Sequence, residues 1–287
     1  MKSELFQCHG HIIADGIDYR AAIARHEREP DIGYIRRTLA ELRDSRVVYY
    51  RDGGDKYGVS ALAKTLAPEY GIDYRTPVCI VHRAGYYGSA YGRAYRDIAE
   101  YRELLRENAL CGADFVKIAT TGMLDFDGDG RVLGDTLPEA EVRELVHIAH
   151  GEGFAVMAHI NGAVAVKSAV DCGVDSVEHG FWIGRDTVRC LRDANTVWVP
   201  TCVTVANNVG NGRYPAPTMR AILDAHDANL RYARDIGALV ACGSDAGAFN
   251  VTQRDSAREE YEYLQALGID TRDADETVRK RFVRNAT

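Results

Sequence analysis

A short apolar run recurs eight times along this chain, each followed by a stretch with helix-like apolar spacing. The runs are LFQCHGHI (5–12), RVVYYRDGG (46–54), PVCIVHRAG (77–85), DFVKIATTG (114–122), FAVMAHING (154–162), VDSVEHG (174–180), VWVPTCVTV (197–205) and ALVACGSDAG (238–247). Between them lie segments such as LPEAEVRELVHIAHGEG (137–153), GAVAVKSAVDCG (162–173) and PTMRAILDAHDANLRYARDIG (217–237), with apolar residues at helical spacing and a glycine at the stop. Strands alternating with helices imply an α/β fold of parallel strands joined by right-handed crossovers. Eight such units need about 250 residues, and the chain has 287. The pattern predicts a single (β/α)8 TIM barrel, one domain over 1–287, with no linker rich in Pro, Gly or Ser.

Charge and composition narrow the partners. A formal net charge of −7 and no basic run argue against a nucleic-acid surface. No apolar run approaches ~18 residues, so no membrane span is expected. The seven dispersed cysteines contain no CxxC pair, which reads as a reducing compartment rather than a disulfide framework. The opening MKSELFQCHGHII has no apolar core of leader length. A cytoplasmic protein acting on a small-molecule substrate is the expectation.

In such a barrel the chemistry belongs at the strand ends and the loops that follow them. His9 and His11 are two apart and share a face of the first strand, with Cys8 and Gly10 toward the helices. In the fourth run Phe115, Lys117 and Ala119 face inward, and Val116 and Ile118 face the helices. An inward lysine is costly unless paired or chemically changed. The fifth, sixth and eighth runs end in His159, His179 and Asp245. One HxH pair or one histidine carries little by itself. Six such residues at the ends of five strands are hard to assign to packing, because they would be buried charges without a counter-ion.

HGH at 9–11, ADFVKI at 113–118, AHINGAVAVKSAVDCGVDSVEHG at 158–180 and GSDAG at 243–247 resemble the amidohydrolase superfamily, in its prolidase-like and imidazolonepropionase-like branch. The resemblance implies a binuclear centre of two divalent metal ions, by default zinc. His9 and His11 would hold one ion with Asp245, and His159 and His179 the other. Lys117, carboxylated on its amine, would bridge them. Asp245 would be the catalytic residue that takes a proton from the attacking water and passes it to the leaving nitrogen. Relatives of this kind carry a small β-sandwich beside the barrel. Here the first strand begins within a few residues of Met1, so that sandwich is expected to be missing. The barrel end it would cover leads to the expectation of a homo-oligomer.

The loop after the third run, VHRAGYYGSAYGRAY (81–95), offers His82, Arg83, Tyr86, Tyr87 and Tyr91 as substrate-binding candidates, with Asn161, Thr201 and Asn207 near other strand ends. LDFDGDGRVLGD (124–135) matches the first half of a calcium loop at Asp125, Asp127 and Asp129, but Thr136 stands where a bidentate glutamate belongs. It is read as an acidic lid. His147 and His150 share an outer helix face, and His26 and His226 are expected to be solvated. Amide hydrolysis of a dipeptide or N-acyl amino acid leads. The alternatives are a mononuclear deaminase or cyclic-amide hydrolase, a lactone or phosphotriester hydrolase, and a non-catalytic metal-binding barrel.

Overall fold

The apolar runs become buried strands because each is flanked by amphipathic stretches that cover it. The computed structural model describes residues 4–285. In chain order the elements begin with β1 (Leu5–Gly10), α1 (Tyr19–His26), α2 (Ile32–Asp44), β2 (Val47–Asp52), α3 (Val59–Leu66) and β3 (Asp73–Arg75). There follow β4 (Val81–Arg83), β5 (Arg93–Tyr95), α4 (Ile98–Leu110), β6 (Val116–Ala119), α5 (Glu139–Gly151), β7 (Val156–Ile160) and α6 (Ala163–Asp171). The chain continues through β8 (Ser176–His179), α7 (Arg185–Asp193), β9 (Val197–Val199) and α8 (Val203–Ala206). It ends with α9 (Ala216–Ile236), α10 (Ser256–Ala266) and α11 (Arg272–Arg281).

Local chemistry sets the helix limits. Asp31 accepts a hydrogen bond from Tyr34 N at the start of α2. Helix α5 has Glu139 and Glu141 in its first turn and His150 in its last, matching its dipole. Gly237, at φ 71°, stops α9.

All paired strands are parallel. One sheet runs β1-β2-β3, the other β5-β4-β6-β7-β8-β9. The eighth run forms no extended strand. It touches both sheets through single bridges, Trp198 with Val240 and Gly10 with Ala246. Cys8 N donates to Cys242 O and Asp245 N to His9 O, each at 2.8 Å. The third run also departs from one strand over 77–85. Within it only Val81–Arg83 is a strand, paired along its length with β5 and with β6 through Val81 and Ile118, while the strand on β2 precedes the run at Asp73–Arg75. Val78 sits between them at φ 65°, a conformation a β-branched residue rarely takes.

Alternation along β6 divides the core as its sequence predicts. Val116 and Ile118 pack with Leu104, Leu105, Val142 and Leu145 of α4 and α5. Phe115 packs with Met157, Val197 and Val199 on the other side of the strands. That inner cluster includes Val278 and Phe282, with Phe282 edge-on to Phe115 at 5.4 Å. The end of the strands where β6 begins, expected to be bare, is thus covered within the chain by α11 and Phe282. Among the described residues, no helix is long and apolar enough to cross a membrane.

Candidate active site

The strand ends opposite α11 carry the six residues singled out above. His9 lies on β1 and His11 one residue beyond it, after a register shift between Gln7 and Gly10. Their Nε2 atoms are 3.4 and 3.6 Å from Asp245 Oδ1. Lys117 Nζ lies 3.3 Å from His9 Nε2. The His179 ring is 5.0 Å from that of His9 and 4.5 Å from that of His159. All six are therefore within one cluster, fed by β1, β6, β7, β8 and the eighth run.

Space for the His11 ring depends on a glycine. A Cβ at Gly53, just past β2, would come within 2.1 Å of His11 Cε1.

Burial holds the four imidazoles neutral. It is the leading cause for His9 and His179, both well below the usual histidine range, and for His11 and His159, each lowered to about 3. The Lys117 ammonium adds to the effect on His9, His11 and His159. Lys117 itself is lowered to about 8 by burial, and Asp245 is raised to about 6 by burial against the opposing pull of Lys117. Neutral imidazole is the form that binds metal. His9, His11 and Asp245 each offer one ligand atom, all within 4.8 Å of one another. Imidazole nitrogen with carboxylate oxygen suits zinc and its first-row neighbours. The His179 Nδ1 contact with Thr201 Oγ1, at 2.8 Å, leaves its Nε2 free. His159 Nε2 faces Gly122 O at 3.2 Å, which leaves its Nδ1. The donor set therefore fits a metal centre.

Two residues absent from the expectations complete the cluster. Glu178 Oε2 is 2.7 Å from His9 Nδ1, within ion-pair distance though off the line for a hydrogen bond. Its Oε1 accepts from Arg51 Nη2 at 2.8 Å. Arg51 also donates to Ser176 Oγ at 3.0 Å and Cys8 O at 2.6 Å, and lies 4.2 Å from the Phe282 ring. Arg51 and Glu178 are completely buried. The signal was in the sequence, since an arginine inside VVYYRDGG is as anomalous as a lysine inside DFVKIATTG.

The six residues floor a cleft of about 890 Å³. Tyr87, Tyr91 and Asn161 line it. Tyr87 lies 4.6 Å from the His159 ring, and Tyr91 stacks on His11 at 5.4 Å. His82, Arg83 and Tyr86 are not in the cleft wall. His82 is buried against Gly88 and Gly92, Arg83 pairs with Glu141, and Tyr86 packs on the core under the Arg83 guanidinium. Thr201 contacts His179, whereas Asn207 bonds Asn250 O and Glu259 outside the cleft; Asn208 lines it instead. In the acidic loop Arg213 holds Asp127 at 3.1 Å and Arg131 lies 3.5 Å from Asp129. No three ligands converge there among the described residues. His147 and His150 lie exposed on α5. His26 and His226 correct the expectation of solvated rings, since each residue is 1% exposed. His226 shares the inner face of α9 with Met219, Ile222 and Leu230, between Phe181 and Trp198. His26 packs edge-on to Tyr34, and its Nδ1 accepts from Asp31 N.

The architecture is shared with solved hydrolases. A Xaa-Pro dipeptidase with bound methionine in its active site superposes with a TM-score of 0.74 at 20% identity, over 96% of this chain and 73% of that one. The ochratoxinase of A. niger gives 0.77 at 17%, over 97% and 70%. A prolidase complexed with N-methylphosphonate-L-proline gives 0.72 at 21%, over 97% and 74%. The chain has the fold of amidohydrolase-type proteins. In sequence it is 26% identical over 197 residues to an uncharacterized protein of Mycobacterium tuberculosis and to its Mycobacterium bovis counterpart. The match spans 66% of this chain and about half the length of those curated relatives, 51%. No protein-family model matches.

Proposed function

We propose that the chain is a metal-dependent hydrolase that cleaves an amide C–N bond in a small molecule, a dipeptide or an N-acyl amino acid. One observation carries the reading: four imidazoles, a lysine and a carboxylate converge at the strand ends. The amidohydrolase-type fold supports it, with a closed eight-unit barrel as the full architecture. His9, His11 and Asp245 would hold one divalent ion, His159 and His179 a second, and Lys117 as a carbamate would bridge them. Bound there, such ions supply Lewis acidity and lower the pKa of water toward neutrality.

The protein groups divide the remaining work. A buried lysine beside neutral rings is costly as a cation, and carboxylation turns it into an anion that suits the site. Asp245 takes one proton from the attacking water and delivers it to the leaving nitrogen. A C–O bond forms as the C–N bond breaks, giving a carboxylic acid and an amine. Tyr87 and Tyr91 roof the ligand rings and reduce access of bulk water to them.

A one-ion reading rests on a narrower observation: the ligand atoms of His9, His11 and Asp245 gather within 4.8 Å of one another, enough to hold a single ion. Metal content per chain in the wild type and in Lys117→Ala separates the two. About two ions falling sharply in the variant, with loss of amide turnover, supports the bridged centre. One ion unaffected by the substitution supports the mononuclear deaminase or cyclic-amide reading. No ion after zinc is added refutes both.

A further inference from the structure

The mouth of the cleft is apolar to an extent that amide chemistry alone does not require. Ile17, Tyr19, Tyr87, Met123 and Phe249 are large hydrophobic side chains left exposed, and all five line this cleft. Exposed apolar groups gathered at one concavity mark a binding surface, whereas scattered ones mean little. Phe126 lies edge-on to Tyr214 at 5.5 Å, and Tyr214 edge-on to Phe249 at 6.3 Å. Aromatic contacts thus run across three separate loops. At about 890 Å³ the cleft is near the top of the roughly 300–1,000 Å³ range for sites that enclose drug-sized ligands. Polar groups sit deeper, at Asn161, Thr204 and Asn208, and two arginines stand in the lining, Arg20 and the Asp127-paired Arg213.

We propose that the substrate is an amide bearing one large aromatic or extended apolar group together with a carboxylate, and that Met123 and Phe249 bind the apolar group. The proposal rests on the amide-hydrolase reading for its chemistry, but the apolar cleft is open to separate measurement. Both side chains are about half exposed, at 45% and 44%, so truncating them leaves the core intact. The probes are N-(2-naphthoyl)glycine and N-acetylglycine, with zinc-loaded wild type and Met123→Ala/Phe249→Ala.

The wild type is expected to favour the naphthoyl compound in kcat/KM by at least tenfold, the scale of discrimination in an apolar pocket. In the double variant that ratio falls roughly tenfold, mainly through KM for the naphthoyl compound. Equal kcat/KM for both probes, or an unchanged ratio in the variant, overturns the proposal. If neither probe is hydrolysed, the amide reading fails and calorimetry decides the cleft. Binding of N-(2-naphthoyl)glycine to the wild type that weakens in the variant upholds the apolar site, and no binding to either overturns it.

Discussion

Replacing Arg51 with methionine tests whether the buried charges beneath the site act as a unit. Methionine keeps much of the side-chain volume and its contact with Phe282, while removing the cation. Glu178 then keeps a carboxylate with no solvent access and loses its 2.8 Å partner. Removing one member of a buried pair costs about 3–5 kcal/mol. Two further acceptors, Ser176 Oγ and Cys8 O, lose a donor, at about 1 kcal/mol each. The expected total is about 5–7 kcal/mol, which at roughly 2–4 °C per kcal/mol lowers Tm by at least about 10 °C. Arg51→Met/Glu178→Gln removes both charges and should recover about 2 kcal/mol or more of that loss. Urea denaturation of metal-free protein, followed by circular dichroism, gives all three stabilities. A single variant within about 1 kcal/mol of wild type, or a double variant no more stable than the single, would refute the reasoning.

Gly53→Ala should reduce zinc affinity at least tenfold while leaving the denaturation midpoint of metal-free protein nearly unchanged. The new Cβ would come within 2.1 Å of His11 Cε1, and His11 is a partly exposed ring that can swing away; zinc titration against a chelator reads the effect. Glu260 is raised to about 7 by burial, from 4.5. A carboxyl raised on folding contributes stability that is complete below pH ~4.5 and lost as pH rises through about 7, a span of ~3 kcal/mol. Glu260→Gln should remove that part of the slope, leaving the part due to Asp52 and Asp275, each also raised to about 7; urea midpoints between pH 4 and 8 measure it.

The strand ends were readable because the chemistry there violates the local pattern. Histidines, a lysine and an aspartate interrupt apolar runs, and period-2 alternation placed Lys117 and Phe115 on the inner side of β6. The eighth run was legible as a segment but not as a strand, because its pairing reduces to single bridges that no local residue preference encodes. The break before β4 in the third run turns on the backbone of Val78, and β-branched residues give no sequence signal for a left-handed conformation. His226 was misread for a different reason: charged neighbours on α9 masked a period of 3.6 that places it beside Ile222 and Leu230. The aromatic part of the cleft wall was read from the 81–95 loop only. Phe126, Tyr214 and Phe249 are far apart in sequence, and only the fold makes them neighbours.

The same geometry explains why so many buried polar groups surround the ligand set. Ser176 and Glu178 face Arg51, so strict alternation would turn His179 outward. A left-handed backbone at His179, φ 70°, returns its ring to His9 instead. Thr201 and Asp245 take the same conformation, at φ 52° and 59°. Each such residue costs about 1–3 kcal/mol and persists only when its surroundings over-determine it. Here those surroundings can be named. Trp198 Nε1 donates to His179 O at 2.8 Å, and Asp245 N donates to His9 O at 2.8 Å. Glu260 accepts from Cys202 N and Val203 N just after Thr201, each at 2.9 Å. Asp52 accepts from Ile12 N, the residue after His11, at 2.8 Å. His9, His11 and Thr201, which contacts His179, therefore each lie within two residues of a buried carboxylate's grip or touch one directly. The stability lost to strain and to buried charge is concentrated where it fixes the direction of an imidazole. A chain selected only for folding would have no reason to put both burdens at the same strand ends.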